Sequence, residues 1–328
     1  MKSRILFLLA AIVIFAVMSA PKAAEREYKF AIATADAHHS TMGLRHFAEA
    51  LGEKTEGKLV GHVYSGGQLA TGERESVDGL QFGTIDVTVV STGMMSAYDE
   101  RFGLFSLPFL FRDEENVYKA VDGPIGEAFN KILAEKTDIV ILGWFMSGVH
   151  TMTSNRPIKS MADLAGLKIR CMENPTIIAA WRAYGASPTP MSIGEVFTAL
   201  QQGTVDAQDN GTANSYANKY YEVQKYLAMT EHMVVPQILI MSKAKFDDIP
   251  PALLPAFREA VKEGVAFQRA EYGRQNAAAI DNMKAQGMEV TYPDRADFIK
   301  ASDPIRQDFI QKAGGDLAAW VNDIRSKY

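Results

Sequence analysis

Apolar stretches of strand length alternate with amphipathic stretches of helix length along most of this chain, and no other feature constrains the fold as tightly. The alternation is that of an α/β protein with mainly parallel strands, each followed by a helix that packs back on the sheet. Tyr28 to Ala33 reads as a first strand. Met42 to Lys54 follows as a helix with Leu44, Phe47, Ala48 and Leu51 on one face. A strand near Leu59 to Tyr64, a helix from Glu73 to Phe82 and a third strand from Ile85 to Val90 complete this part.

One segment occurs twice. Leu80-Gln81-Phe82-Gly83-Thr84-Ile85-Asp86 returns as Leu200-Gln201-Gln202-Gly203-Thr204-Val205-Asp206, each time as a helix end, a glycine cap and a strand start. Gly83 and Gly203 suit the left-handed position that closes a helix, where a Cβ is penalised. The echo predicts two similar α/β lobes, with a chance match of two common helix-Gly-strand junctions as the alternative. The second lobe begins near Gly148 and reads as a strand at Lys168 to Cys171, helices at Asn174 to Tyr184 and Ile193 to Gln202, and a strand at Val205 to Gln208. Val234 to Met241 is another strand-like run. From Pro251 to Gln286, Leu253, Phe257, Val261 and Val265 recur every four residues before Gly287. An unbroken helix of this length reaches about 54 Å and touches both lobes; a break at Gly273 is the alternative.

At 328 residues, 47% of them hydrophobic, the chain can bury a sizeable core and is long enough for two domains. Its formal charge of -5 argues against a nucleic-acid partner, which demands a basic face. Cys171, the single cysteine, rules out an intrachain disulfide and cysteine metal clusters. Lys2 and Arg4 precede an apolar run from Ile5 to Met18 and then small residues, the layout of a secretory leader cut after Ala20 or Ala24. That run is shorter than the roughly 20 residues that span a bilayer, so a soluble mature protein is expected.

Catalytic signatures are sparse. The sequence holds no G-x-S-x-G elbow, no GK[ST] phosphate loop, no H-E-x-x-H and no dinucleotide fingerprint after a strand. His38 and His39 adjoin the first helix; His38 reads as part of a segment capped by Ser40 or Thr41, whereas His39 stays a candidate ligand contact. The positive signal lies at strand ends. In Gly166 to Cys171, Leu167, Ile169 and Cys171 alternate toward the core, which sends Lys168 and Arg170 to the other face, at the carboxyl edge where α/β folds bind ligands. Arginine suits a carboxylate there, because its planar fork makes two parallel bonds; a surface salt bridge is the plain alternative. Val205 to Asn210 also ends in polar groups, and Asn210 can serve a ligand or form an Asn-Gly turn with Gly211.

Together, several ordered segments resemble one family. Gly166 to Arg170, Gly185-Ala186 with Pro188-Thr189-Pro190-Met191, Glu195-Val196 with Ala199 to Gly203, Val205 to Asn210, and Tyr221 to Tyr226 are similar to the solute-binding proteins of tripartite ATP-independent periplasmic (TRAP) transporters. Lys54 to Lys58, Gly67-Gln68-Leu69, Gly83 to Asp86 and Leu107-Pro108-Phe109 resemble the same family's first-lobe pattern, so the likeness covers nearly the whole mature chain.

The resemblance implies a two-lobed periplasmic binding protein fold of the α/β class, with hinge-connected lobes and a long helix crossing both. It implies a leader over residues 1–24, a first lobe of 25–147 with about 236–275, and a second of 148–235 with about 276–328. Arg170 matches the family's carboxylate-pairing arginine and Asn210 its asparagine, while Glu73, Ser91 and Ile193 fall where other members place contacts. Sialic-acid-binding members carry an arginine and a phenylalanine where this chain has His150 and Ile193, which points away from sialic acid. The reading is a periplasmic receptor without catalysis, cofactor or metal, which captures a small organic acid and delivers it to the TRAP membrane permease subunits. In it Arg170 anchors the carboxylate, Asn210 and Ser91 bond its oxygens or a hydroxyl, and Glu73 and His150 read the distal end, favouring a sugar acid or hydroxy acid. A dicarboxylate or aromatic acid, a receptor of another transporter class and a secreted enzyme are the alternatives.

Overall fold

The computed structural model describes residues 24–313 and 315–327, so the expected leader lies outside the described residues except for Ala24. Nine strands appear among them: β1 (Arg26–Ala31), β2 (Leu59–Tyr64), β3 (Val87–Ser91), β4 (Ile139–Ser154), β5 (Lys168–Cys171), β6 (Ser187–Pro190), β7 (Ala207–Gly211), β8 (Tyr226–Ser242) and β9 (Glu289–Thr291). They lie in the order β2-β1-β3-β8-β4-β7-β5-β6, with β9 against β8. β1 pairs in parallel with β2 and β3, and β5 pairs in parallel with β6 and β7.

Between these parallel trios run β4 and β8, 16 and 17 residues long and antiparallel to each other. The carboxyl end of β8, from Gln237 to Met241, pairs with β3, while the carboxyl end of β4, from His150 to Ser154, pairs with β7. Each long strand therefore belongs to one lobe at one end and to the other lobe at the other. Their register slips between Met146 and Gly148, and Gly148 takes a φ of 140°, a backbone that side chains rarely adopt. The chain has the two-lobed α/β fold.

Local signals account for most boundaries. The first helix spans His39–Lys54 and starts earlier than Met42 because His38, rather than Ser40 or Thr41, is its cap: Ser40 N donates to His38 Nδ1 at 3.1 Å. Pro175 opens the helix Pro175–Ala183 behind Asn174, whose Oδ1 accepts from the amides of Thr176 and Ile177. The stretch expected as one helix over Ile193 to Gln202 begins as a 3-10 turn, Ile193–Glu195, and becomes α-helical at Val196. β7 extends to Gly211, so Asn210 and Gly211 do not form a turn; they pair with Thr151 and His150 of β4.

The long helix is Leu254–Ala285, 32 residues or about 48 Å, and it runs through Gly273 without a break. Gly264 has a packing role: a Cβ there would lie 2.6 Å from Phe47 Cβ, and one on Gly43 would lie 2.5 Å from Gln268 Cβ. The two glycines let the first and long helices pack backbone to side chain. Farther along, Ala279 and Met283 bury against Leu227 and Met288, so the helix touches both lobes. The last helix, Gly315–Lys327, sets Leu317, Val321 and Ile324 in one core with Phe105, Phe129 and Trp144, the large core beside β3.

Candidate functional site

A cavity of about 440 Å³ opens where the strand ends of the two lobes face each other. Six of the seven residues singled out from sequence line it: Arg170, Asn210, His150, Glu73, Ser91 and Ile193. His39 does not; it is fully buried behind the wall, and its neighbour His38 lines the cavity instead. The helix geometry explains the exchange, because His38 as cap stands outside the first turn while His39 turns inward.

The second lobe contributes donors. Arg170 is 3% exposed, and the strand alternation that put it opposite Ile169 points it into the cavity wall. Its Nε and Nη2 donate to Met191 O at 3.1 and 2.9 Å, and its Nη1 to Asp209 O at 3.4 Å. A guanidinium has five N–H groups, so one remains on each terminal nitrogen for a ligand. Asn210 is oriented in the same sense. Its Oδ1 accepts from Gly211 N at 2.8 Å and Asn214 Nδ2 at 3.0 Å, which leaves its amide hydrogens for a ligand.

Opposite stands an acceptor. Glu73 opens the helix Glu73–Phe82, where its carboxylate accepts from Ser91 N at 2.9 Å and Ser91 Oγ at 2.6 Å. Ser91 thus spends its proton on Glu73 and meets a ligand through Glu73 rather than as a free donor. Burial pushes the Glu73 carboxyl up, against the pull of both Ser91 bonds and of Arg170. Burial, with His39 alongside, also holds the His38 imidazole well below its usual value. Since His38 Nδ1 already accepts from Ser40 N, the neutral ring carries its proton on Nε2. Arg74 of the first lobe meets Glu173 of the second at 3.1 Å beside the same cavity.

Behind the donor face lies a polar cluster. His150 Nδ1 stands 2.5 Å from Asp209 Oδ1, Trp181 Nε1 donates to Asp209 Oδ2 at 3.0 Å, and His232 Nε2 lies 3.6 Å from Asp209 Oδ1. Burial opposes the Asp209 charge, yet the two imidazoles outweigh it and hold the carboxyl well below its ordinary range. His150, Asp209 and His232 are the residues best placed for a metal ion, but 2.5 Å is hydrogen-bond length, closer than two atoms sit on one tetrahedral ion at about 2.1 Å each. The cluster acts as a buried hydrogen-bonded support behind the donor face. Sequence reading missed His232, Asn214, Ser147 and Gln237, which come from strand and helix positions with no distinctive spacing.

Residues 30–313 match the family described as bacterial extracellular solute-binding protein, family 7 (DctP). The chain belongs to this family of TRAP transporter receptors. Among curated relatives, a solute-binding protein of Verminephrobacter eiseniae is 36% identical, over 94% of this chain and 91% of its own. The sugar acid binding protein of Advenella mimigardefordensis, solved with galactonate, is similar with a TM-score of 0.89 and 28% identity, covering 93% of this chain and 99% of its own. A TRAP receptor of a Polaromonas species bound to D-erythronate gives 0.86 and 33%, covering 90% and 97%. As in other TRAP receptors, the setting is periplasmic and the partners are a small carboxylate and the membrane permease subunits. No helix among the described residues is long and apolar enough to cross a membrane.

Proposed function

We propose that this TRAP receptor captures a monocarboxylic sugar acid or hydroxy acid and releases it chemically unchanged to the permease. The observation that carries the reading is the polarity of the cavity. Arg170, with an unused N–H on each terminal nitrogen, and Asn210, with its amide hydrogens unused, line it from one lobe, and Glu73 lines it from the other. A ligand with an anionic head and hydroxyls behind it satisfies both faces, whereas a second carboxylate would bring another acceptor up to the acidic Glu73 side chain. The cavity volume of about 440 Å³ lies in the range of small-molecule sites. Galactonate and D-erythronate, bound by the two structural neighbours, have this chemistry.

A thermal-shift panel of sugar acids, dicarboxylates and aromatic acids tests the proposal. An acid present at 100 times its dissociation constant adds about 2.7 kcal/mol to native stability. The sugar and hydroxy acids are expected to lead, with the bound acid recovered intact. Larger shifts from succinate or benzoate, or conversion of the acid on standing, would replace this reading.

A further inference from the structure

His39 was expected to touch the ligand and does not, yet its bonds run toward the site. We infer that His39 is a positioning residue that holds the Asn214 amide as a donor to Asn210 Oδ1 and so, beside Gly211 N, steadies the Asn210 amide toward the cavity, through a one-way hydrogen-bond chain that starts at the Met146 peptide between the lobes. The inference rests on the proposed carboxylate site at Arg170 and Asn210.

The polarity of the chain follows link by link. Met146 N donates to Gln268 Oε1 at 2.9 Å, and Gln268 Nε2 donates to Met146 O at 2.8 Å. A backbone amide can only donate and a carbonyl only accept, so the Gln268 side chain has one permitted orientation. Its second amide hydrogen then points at His39 Nδ1, 2.9 Å away, which must carry a lone pair. Ser40 Oγ also lies 3.2 Å from that nitrogen but gives its proton to Gln237 Oε1 at 2.7 Å. A neutral ring with a bare Nδ1 bears its hydrogen on Nε2, which donates to Asn214 Oδ1 at 2.8 Å. Asn214 therefore turns its amide nitrogen to Asn210 Oδ1 and Ser147 Oγ, each at 3.0 Å. Asn210 Oδ1 thus accepts twice, from Gly211 N at 2.8 Å and from the relay's Asn214, and its N–H groups are left toward the cavity.

Burial supports every link. His39 and Gln268 are fully buried, so water does not compete at those links, and Ser147, Asn210 and Asn214 are at most 6% exposed where they line the cavity. A protonated His39 would set an N–H against the Gln268 amide hydrogens, and burial keeps the ring neutral, its pKa moved down to about 4. The chain also joins the long helix, the first helix and the β7 end. The donor at the ligand is thereby tied to the strand irregularity at Met146 and Gly148.

A double-mutant cycle tests the assignment, using calorimetric titration with whichever of galactonate and D-erythronate stabilises the wild type more. His39→Phe keeps the ring and removes both nitrogens; it is expected to weaken binding about tenfold, a typical loss for one oriented donor in a closed site. In an Asn210→Ala background the same change should cost little, because the amide it positions is gone. His39→Gln, whose amide can accept from Gln268 and donate to Asn214, should recover most of the affinity. Asn214→Ala cuts the chain nearer the ligand and should show the same dependence on Asn210, which covers the case in which His39→Phe fails to fold. Equal losses with and without Asn210, or wild-type affinity in both His39→Phe and Asn214→Ala, overturn the relay while leaving the carboxylate site standing. Wild-type affinity in Asn210→Ala overturns both.

Discussion

The two junctions that echo each other in sequence are superposable in their bonding and opposite in the chemistry they deliver. At the first, Gly83 turns with a φ of 75°, Thr84 N donates to Gly79 O at 2.9 Å, and Asp86 Oδ2 accepts from Lys29 N at 2.8 Å. At the second, Gly203 turns with a φ of 68°, Thr204 N donates to Ala199 O at 2.9 Å, and Asp206 Oδ2 accepts from Lys168 N at 3.0 Å. From there the strands diverge. β3 continues through Val89 and Val90 to Ser91, which holds the acceptor Glu73, whereas β7 continues through Asp209 to Asn210, a donor. One scaffold, used twice, brings a strand end to the cavity from each side. What the ligand meets is decided by the residues after the shared turn. The buried Asp209 stands where the other strand has a buried valine, and its carboxylate holds His150 and Trp181 behind the donor face, while Arg170 bonds only its main-chain oxygen.

Arg170→Ala should break this division most severely. Removing one partner of a buried charge-assisted pair costs about 3 to 5 kcal/mol, more than a hundredfold in affinity. Arg170→Lys should also bind poorly, because an ammonium lacks the two-pronged geometry. Calorimetry on folded variants measures this, and affinity within tenfold of wild type in Arg170→Ala would take the anchor away from the donor lobe.

Asp209→Asn should strike the support beneath that face, destabilising the neutral protein by about 3 kcal/mol, with Val89→Asn in the other strand as the control for polarity alone. The pH sign is fixed by the direction of the shift. The folded Asp209 is more acidic than the ordinary value of 3.8, so its contribution is present above that value and drains away as pH falls below it toward the lower folded value. Chemical unfolding across acid pH should therefore show a wild-type slope that Asp209→Asn lacks; parallel curves would remove the buried Asp209 carboxylate from the account.

Glu73→Gln probes the acceptor side. It should weaken hydroxylated acids by about tenfold while improving the relative standing of dicarboxylates, since the like charge is gone. An unchanged ligand ranking would mean the first lobe does not read hydroxyls. The smallest expected effect tests the scaffold itself: Asp86→Ala and Asp206→Ala should each cost about 1 kcal/mol, the worth of one strand-anchoring hydrogen bond. Melting curves that separate the two variants widely would show that the likeness of the junctions is geometric and not energetic.

Much of the fold was legible because its signals are local. Strand alternation placed Lys168–Cys171, glycines at left-handed positions closed the helices before Thr84 and Thr204, and the four-residue apolar repeat marked the long helix. The site was partly legible for the same reason: Arg170 faces the cavity because Ile169 must face the core. Asn210 was ambiguous, since an Asn-Gly pair makes a good turn when nothing lies alongside. β4 lies alongside, and its ladder keeps the pair extended.

By itself the sequence determined the alternation of elements, the repeated turn, the acidic charge and the residue types at the strand ends, all consequences of spacing along one chain. Only the tertiary structure decided which of two adjacent histidines meets the cavity and which lies behind it, and that Ser91 serves Glu73. Only it gave Asp209 a buried partner in His150, 59 residues away in sequence with β5 and β6 between them. Those outcomes depend on burial and on hydrogen bonds between residues far apart in sequence, and the free energy of such contacts is set by the surroundings that packing creates.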